Sequence, residues 1–169
     1  MASGDVVVHQ TGPFSGTGTN YAQPTTLAGV SSPSEVVPVW AFDQTTAEYV
    51  DFGAELSGYA GGGLTFRLKY SAAVNANPVQ WEIGVRRMAD DAAGSDLDAS
   101  HSYAFNLVSD TVPSSVNEIG YASITFTDGA DMDSWATNEL AIVRVRRNPD
   151  GTDSAAGDAY LWSVVGTET

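Results

Sequence analysis

Apolar and polar residues alternate along several short stretches of this chain, which is the period of β-strands with one buried face. The alternation is clearest in residues 64–70 (LTFRLKY), 79–87 (VQWEIGVRR) and 139–147 (ELAIVRVRR). Further strands are predicted at 6–8, 36–42, 48–56, 102–108, 122–126 and 160–165. Turn residues separate these stretches, and no stretch carries an apolar stripe at helical spacing over three turns. The pattern predicts an all-β fold, an antiparallel, jelly-roll-like β-sandwich of about eight or nine strands.

The N-terminal region has a different texture from the rest. Residues 10–34 contain no charged side chain, and sixteen of these 25 residues are Gly, Ser, Thr or Pro. Such a segment lacks the apolar residues for a core of its own, and its composition disfavours a helix. We therefore expect residues 1–34 to form an extended arm that lies along a protein surface, and residues 35–169 to form the sandwich. A flexible leader or a long ordered loop is the alternative.

Composition excludes several classes of partner. The chain has 169 residues, which is typical of one domain, and it contains no Cys. Its net charge is −14 at pH 7. Nucleic-acid binding and attachment to an anionic membrane both depend on basic surface, so neither is expected here.

The few basic residues have an unusual distribution. All seven lie in predicted strands, as Arg67, Lys69, Arg86, Arg87, Arg144, Arg146 and Arg147. This clustering predicts one sheet face of mixed charge on an otherwise acidic protein. The basic side chains can pair with acidic ones on neighbouring strands, which would make a solvated face. Alternatively, they form a docking face for an acidic partner or a second copy, because arginine holds carboxylates in a fixed geometry.

Catalytic and metal-binding patterns are weak. The two histidines are His9 and His101, and no G-x-S-x-G motif or zinc-ligand spacing is present. Three acidic clusters, at 90–98, 128–133 and 150–158, have the oxygen ligands that calcium prefers, but none matches an EF-hand loop. Solvated turns are the simpler explanation, because acidic loops are common on an acidic protein. The sequence therefore predicts no enzyme, no cofactor and no metal site.

The aromatic residues suggest a different function, carbohydrate binding. Four Trp and seven Tyr are many for a small β-domain. Trp81 shares the parity of the apolar residues around it and is expected in the core, and Trp162 has apolar neighbours on both sides. Trp135, in an Asp-rich segment, is the tryptophan expected to be exposed and able to stack on a sugar.

Two stretches carry a family resemblance. Residues 49–70 (YVDFGAELSGYAGGGLTFRLKY) combine a Y-x-D-F strand, a Gly-rich turn and a basic alternating strand. Residues 146–164 (RRNPDGTDSAAGDAYLWSV) combine a strand ending in Arg, an acidic turn and a G-D-A-x-L-x-x-V strand. Together they resemble small β-sandwich virion proteins of tailed bacterial and archaeal viruses, which are structural, head-decoration (cement) or tail-associated proteins.

The resemblance implies a non-enzymatic role on the capsid exterior. A decoration protein of this kind would bind the major capsid protein and assemble as a homotrimer. Its partner-binding residues would lie on the basic strands and on the arm: Arg67, Lys69, Arg86, Arg144, Arg146, Phe14 and Tyr21. The alternative function is a carbohydrate- or receptor-binding module, for instance at a tail tip.

Overall fold

The computed structural model describes residues 5–9, 20–74, 76–90 and 95–169, with the backbone alone described for the first range. These ranges contain ten strands: Asp5–His9 (β1), Gln23–Ala28 (β2), Val36–Phe42 (β3), Glu48–Leu56 (β4), Leu64–Ala72 (β5), Pro78–Met88 (β6), Phe105–Thr111 (β7), Gly120–Phe126 (β8), Leu140–Arg147 (β9) and Ala159–Glu168 (β10). The helix in the described ranges is one 3₁₀ turn, Ala130–Met132. No described helix has the length and apolarity needed to cross a membrane.

The strands form two antiparallel layers, which confirms the predicted sandwich. One layer has the order β2-β3-β10-β5-β8, and the other has the order β1-β4-β9-β6-β7. The layers are joined through β10, which pairs with β3 near its start and with β1 near its end. We call them the β5 layer and the β9 layer.

The core lies between the layers and follows the predicted alternation. In β5, Leu64, Phe66 and Leu68 are fully buried. Trp81 of β6 is buried between the layers, with its ring 5.1 Å from that of Phe42 and both rings nearly perpendicular. Burying a side chain of this size stabilises a fold by roughly 1.5–3 kcal/mol. The inward residues thus hold the layers together and leave the outward residues available for function.

Part of the N-terminal arm belongs to the sheet. The β1 strand lies between β4 and β10 and pairs with both. Residues 20–22 then run beside the start of β4, where the Ala22 amide donates to the Tyr49 carbonyl at 3.0 Å. The β2 strand, which the alternation pattern did not predict, pairs along β3. Deleting residues 1–34 would therefore remove two strands of the sandwich.

Candidate functional site

The basic residues are divided between the two layers, so the prediction of a single mixed-charge face is wrong. Arg67 and Lys69 face outward from β5, whereas the other five basic residues are on β6 and β9 of the opposite layer. The outer surfaces of two packed layers point in opposite directions. The seven basic residues therefore cannot act as one surface.

Arg144 lies between two tyrosine rings on the outer surface of the β9 layer. Its guanidinium carbon is 3.8 Å from the centre of the Tyr49 ring and 4.4 Å from that of Tyr103. It also donates two 2.7 Å hydrogen bonds to the Asp51 carboxylate, which is directly opposite on β4. Arg144 is thus fully engaged within its own chain.

The pKa values of Tyr49 and Arg144 reflect the packing of the two side chains. Burial, followed by the contact with the Tyr21 hydroxyl, raises the pKa of Tyr49 to about 12. Burial alone would lower the pKa of Arg144, but hydrogen bonding and attraction to Asp51 outweigh it and raise the pKa above its usual value. Arg144 therefore stays charged near neutral pH.

Arg146 and Arg86 are also engaged within the chain. Arg146 pairs with Glu82, its opposite residue on β6, with Nε 2.7 Å from the carboxylate, and it covers the Phe105 ring at 4.0 Å. This pair confirms the cross-strand interpretation of the charges. Arg86 is 6% exposed and donates from Nη2 to the Asp96 carbonyl at 2.5 Å. Neither guanidinium is available to dock a partner without first giving up these contacts.

A glycine allows the aromatic rings to cover this surface. A Cβ added to Gly84 of β6 would lie 2.9 Å from the Tyr103 ring and 3.1 Å from the Phe105 ring. Both rings therefore lie directly on the β6 backbone. They flank the Arg144 and Arg146 guanidinium groups, so the outer surface of the β9 layer is a packed, internally satisfied ladder.

Replacing Arg144 should lower stability even when the charge is kept. We expect Arg144→Gln to cost roughly 1–2 kcal/mol, from two cation–π contacts and one partly exposed ion pair. Arg144→Lys should cost nearly as much, because an ammonium group lacks the planar fork that pairs with Asp51 and stacks on the rings. Urea unfolding measures both. Arg67→Lys, which affects one exposed ring contact, is the control, and an Arg144→Lys variant as stable as that control would refute this account.

The outer surface of the β5 layer contrasts with that of the β9 layer. Arg67 covers the Tyr121 ring at 4.3 Å and lies beside Val165 of β10, and Lys69 is directly opposite Tyr121. No outward-facing residue of β5, β8 or β10 is an Asp or Glu, and all residues of these strands are described. Within the described part of the chain, neither Arg67 nor Lys69 forms an ion pair. We call Arg67, Lys69, Tyr121 and Val165 the basic face.

An apolar groove opens in the same layer. It has a volume of about 740 Å³ and lies between the β2–β3 hairpin, the loop before β8 and Trp162. Trp162 occupies the bulge of β10, where the pairing with β5 skips one residue, and its indole donates to the Ser71 hydroxyl at 3.0 Å. The other lining residues include Leu27, Val30, Val36, Val116, Asn117 and Glu35.

The prediction that Trp135 is exposed and can stack on a sugar is wrong. Trp135 is only 2% exposed, and its indole donates to the Glu139 carbonyl at 2.8 Å, so it is not a platform. Its position in an Asp-rich segment suggested exposure, but Asp128, Asp131 and Asp133 accept hydrogen bonds from Tyr59, Thr127 and Arg87 and pack against the sheet. Trp162 is the partly exposed tryptophan instead. The bulge that turns it outward has no signature in the apolar pattern.

The described candidate residues for catalysis and metal binding make ordinary structural contacts, whereas the His9 side chain and residues 91–94 lie outside the described part of the chain. His101 packs edge-on against Tyr103 and lies 3.9 Å from the Asp133 carboxylate. Asp131 accepts hydrogen bonds from the Thr127 amide and the Asn106 side chain, which stabilises its turn. Among the described residues, no three acidic or histidine side chains are arranged to hold a metal ion.

Two residues of the N-terminal arm, Phe14 and Tyr21, were predicted to contact a partner. Tyr21 forms an isolated bridge with Tyr49, and their ring centres are 4.6 Å apart. It therefore extends the ladder of the β9 layer by one ring. Phe14 lies outside the described residues.

Comparison with known proteins identifies no family. The chain matches neither a protein-family model nor a curated protein. Among solved structures, it resembles an exo-beta-1,3-galactanase from Phanerochaete chrysosporium in complex with galactose, at 14% identity over 98% of this chain and with a TM-score of 0.41. It also resembles the glycoside hydrolase domain of Endo-D from Streptococcus pneumoniae R6, at 10% identity over 90% of this chain and with a TM-score of 0.32. The chain spans 29% and 21% of those two chains, and likenesses this distant carry no functional argument.

Proposed function

We propose that this protein is a non-enzymatic virion structural protein, a capsid decoration (cement) protein that binds the major capsid protein on the outside of the shell as a homotrimer. The basic face is the observation that supports this proposal most directly. It is a surface without Asp or Glu on a chain of net charge −14, and it combines two cations with exposed apolar groups. Such a surface suits an acidic protein partner.

Arg144 and Arg146 pair within the chain, so fewer of the predicted partner-binding residues are available to a partner. Arg144 and Arg146 hold Asp51 and Glu82, whereas Arg67 and Lys69 have no carboxylate partner in the described ranges. Bringing a carboxylate to an unpaired guanidinium gains a two-pronged hydrogen bond without breaking an existing one. The basic face therefore has more to gain from a partner than the ladder of the β9 layer.

Exposed apolar groups next to the cations would add to shell binding. Tyr121 is 51% exposed and Val165 is 42% exposed, and both adjoin Arg67. Interfaces commonly combine aromatic and arginine residues at their centre. On a symmetric shell, weak contacts of this kind are repeated in every copy of a trimer, which multiplies the overall affinity.

Binding to capsids tests this proposal. Capsids assembled from the major capsid protein of the same genome would be titrated with wild-type protein and with Arg67→Gln/Lys69→Gln. We expect the double variant to bind on the order of tenfold more weakly or worse, since each tenfold loss needs only about 1.4 kcal/mol.

A matched control separates the basic face from overall charge. Gln44→Glu/Ser57→Asp lowers the net charge by two units, as Arg67→Gln/Lys69→Gln does, but at exposed positions outside that face. It should bind like the wild-type protein. Equal losses for both double variants, or no loss for either, would contradict a contact through the basic face.

A carbohydrate- or receptor-binding module is the second candidate, and Trp162 favours it. A partly exposed indole, an amide at Asn117 and a carboxylate at Glu35 line one groove. Stacking on an indole together with polar groups is a way to bind a sugar ring. A glycan array with Trp162→Ala as the comparison distinguishes the candidates, because binding that requires Trp162 would favour this second function over shell decoration.

A further inference from the structure

The β8 strand lies at one edge of the β5 layer and pairs with β5 alone among the described strands. In an antiparallel ladder, the N–H and C=O of a residue point to the same side, and the side alternates along the strand. The Thr125 carbonyl accepts from the Asn106 side chain at 2.9 Å, so Thr125 directs its backbone groups away from β5. Phe126, of the opposite parity, directs its carbonyl toward β5. Tyr121 and Ser123 share the parity of Thr125, so their N–H and C=O groups point into the open edge.

This edge lacks the usual protection. Within the described ranges, the only backbone pairing of β8 is with β5, and no other group there bonds the backbone of Tyr121 or Ser123. Natural edge strands are commonly protected by a charge, a proline or a bulge. The β8 strand (GYASITF) has no charge and no proline, and its pairing with β5 shows no register shift. We call the backbone groups of Tyr121 and Ser123 the β8 edge.

The basic face lies directly beside the β8 edge. Arg67 is opposite Ser123 and Lys69 is opposite Tyr121 in the β5–β8 ladder. The Arg67 guanidinium already reaches over β8, because it lies 4.3 Å from the centre of the Tyr121 ring. A strand added beyond β8 would lie two strand spacings, about 10 Å, from β5. Arginine and glutamate side chains that extend toward each other can span that distance, and the small Ser123 side chain leaves the path open.

We propose that the β8 edge takes up an extended acidic segment of the capsid protein as an added antiparallel strand. Backbone hydrogen bonds to Tyr121 and Ser123 would hold the segment, and its outward carboxylates would pair with Arg67 and Lys69. This inference rests on the proposed function and gives its partner contact a structural form. Because side chains alternate between the faces of a strand, the acidic residues would occupy every second position of the segment.

Charge favours an acidic partner over a second copy of this chain at the β8 edge. Pairing two β8 strands would place two basic faces side by side, and β8 itself has no carboxylate to offer them. An acidic segment instead brings opposite charge to Arg67 and Lys69. Since salt screens exposed charges beyond about 8 Å, these two cations decide the local interaction despite the net charge of −14.

A synthetic peptide of alternating Glu and Thr, blocked at both ends and fluorescently labelled, tests the contact directly. Titration with the full chain, followed by fluorescence anisotropy, should show saturable binding. In the proposed strand, the Glu N–H groups face β8 and the Thr N–H groups face solvent. N-methylation of the Glu residues should therefore weaken binding at least about tenfold. N-methylation of the Thr residues is the matched control and should change binding less than about threefold.

Ser123→Pro disables the edge from the side of the protein. The Ser123 N–H points outward, so proline breaks no hydrogen bond of the β5–β8 ladder. It removes one donor and places a ring in the edge, and it should weaken binding to peptide and to capsids about tenfold or more. Urea unfolding shows whether the variant is folded, and the N-methylated peptides decide with the wild-type chain alone if it is not.

Thr26→Pro is the matched control on β2, the other edge strand of the same layer. The Gly29 amide donates to the Glu35 carbonyl, and this register directs the Thr26 N–H to the open side of β2. The same substitution is thus made at an equivalent backbone position far from the basic face. Thr26→Pro should bind the peptide and capsids like the wild-type protein.

Three results would overturn strand addition: no binding of the unmodified peptide, equal binding of the two N-methylated peptides, or a folded Ser123→Pro variant that binds capsids as tightly as Thr26→Pro. A wild-type oligomer that Ser123→Pro dissociates in light scattering would also overturn it, because the edge would then join copies of this chain. Capsid binding that is lost in Arg67→Gln/Lys69→Gln but kept in Ser123→Pro would refute strand addition alone. A wild-type protein that binds the peptide and ignores capsids would refute shell binding alone.

Discussion

Replacing Arg147 with methionine should destabilise the fold by about 3–5 kcal/mol, the usual cost of removing one partner of a buried ion pair. Arg147 is fully buried, and its side chain bonds both oxygens of the Asp153 carboxylate at 2.9 and 3.0 Å. It also donates to the carbonyls of Phe42, Ala155 and Gly157. Without the guanidinium, the Asp153 charge and these carbonyls lose their partner while remaining buried.

Urea unfolding of Arg147→Met measures this cost. Arg67→Met is the matched control, because it makes the same substitution on an exposed strand position and should cost less than about 1 kcal/mol. Adding Asp153→Asn to Arg147→Met should recover part of the loss, since it removes the uncompensated charge. If Arg147→Met unfolds at the same urea concentration as Arg67→Met, the buried pair contributes no more to stability than an exposed side chain, which would contradict this account.

Gly63→Ala should be the second severe variant. Gly63 has φ of 102°, and an added Cβ would lie 2.2 Å from the Phe126 carbonyl oxygen. That oxygen belongs to the backbone of β8, so relief requires moving β5 away from β8. We expect a loss of roughly 2–5 kcal/mol from the combined backbone strain and overpacking.

The same turn provides the control for Gly63. Gly61 has a similar φ of 96°, but an added Cβ meets nothing within 4 Å. Gly61→Ala should therefore show only the conformational cost, about 1 kcal/mol. Thermal or urea unfolding that gives equal losses for the two alanine variants would show that the clash with β8 is relieved without cost.

The alternating strands were predictable because burial imposes a period of two on them. The residues predicted to point inward from β5 are buried, and β3 and β4 have their predicted bounds. Proline cannot donate to a sheet and is tolerated at edges or bulges, and Pro38 lies in the part of β3 that pairs with β2 alone. These features depend on local pattern and on the chemistry of single residues.

A strand without a buried face could not be predicted from the sequence. In β2, five of the six residues are exposed, so no alternation marks it. What holds it is pairing along β3, a contact between segments that the turn at 29–35 brings together. The apolar pattern in the sequence contains no trace of such backbone pairing.

The candidate site was only partly predictable for a related reason. The parity of Arg144 and Arg146 correctly predicted that they face outward, but not which strands lie beside them. The pairing of β4 with β9 places Asp51 opposite Arg144, and the separation of β5 from β9 places Arg67 on the other side of the molecule. Within a regular strand the alternation gives a side chain's direction, whereas topology decides whether two side chains meet.

A high-resolution cryo-electron microscopy map of virus particles that carry this protein tests its proposed role most directly. We expect Arg67 and Lys69 to lie within ion-pair distance of carboxylates from a neighbouring protein, with Tyr121 covered, and Arg144 still stacked between its two tyrosines. A map in which that β5 surface is open to solvent on every copy would contradict the proposal that this protein works by docking through its unpaired cations.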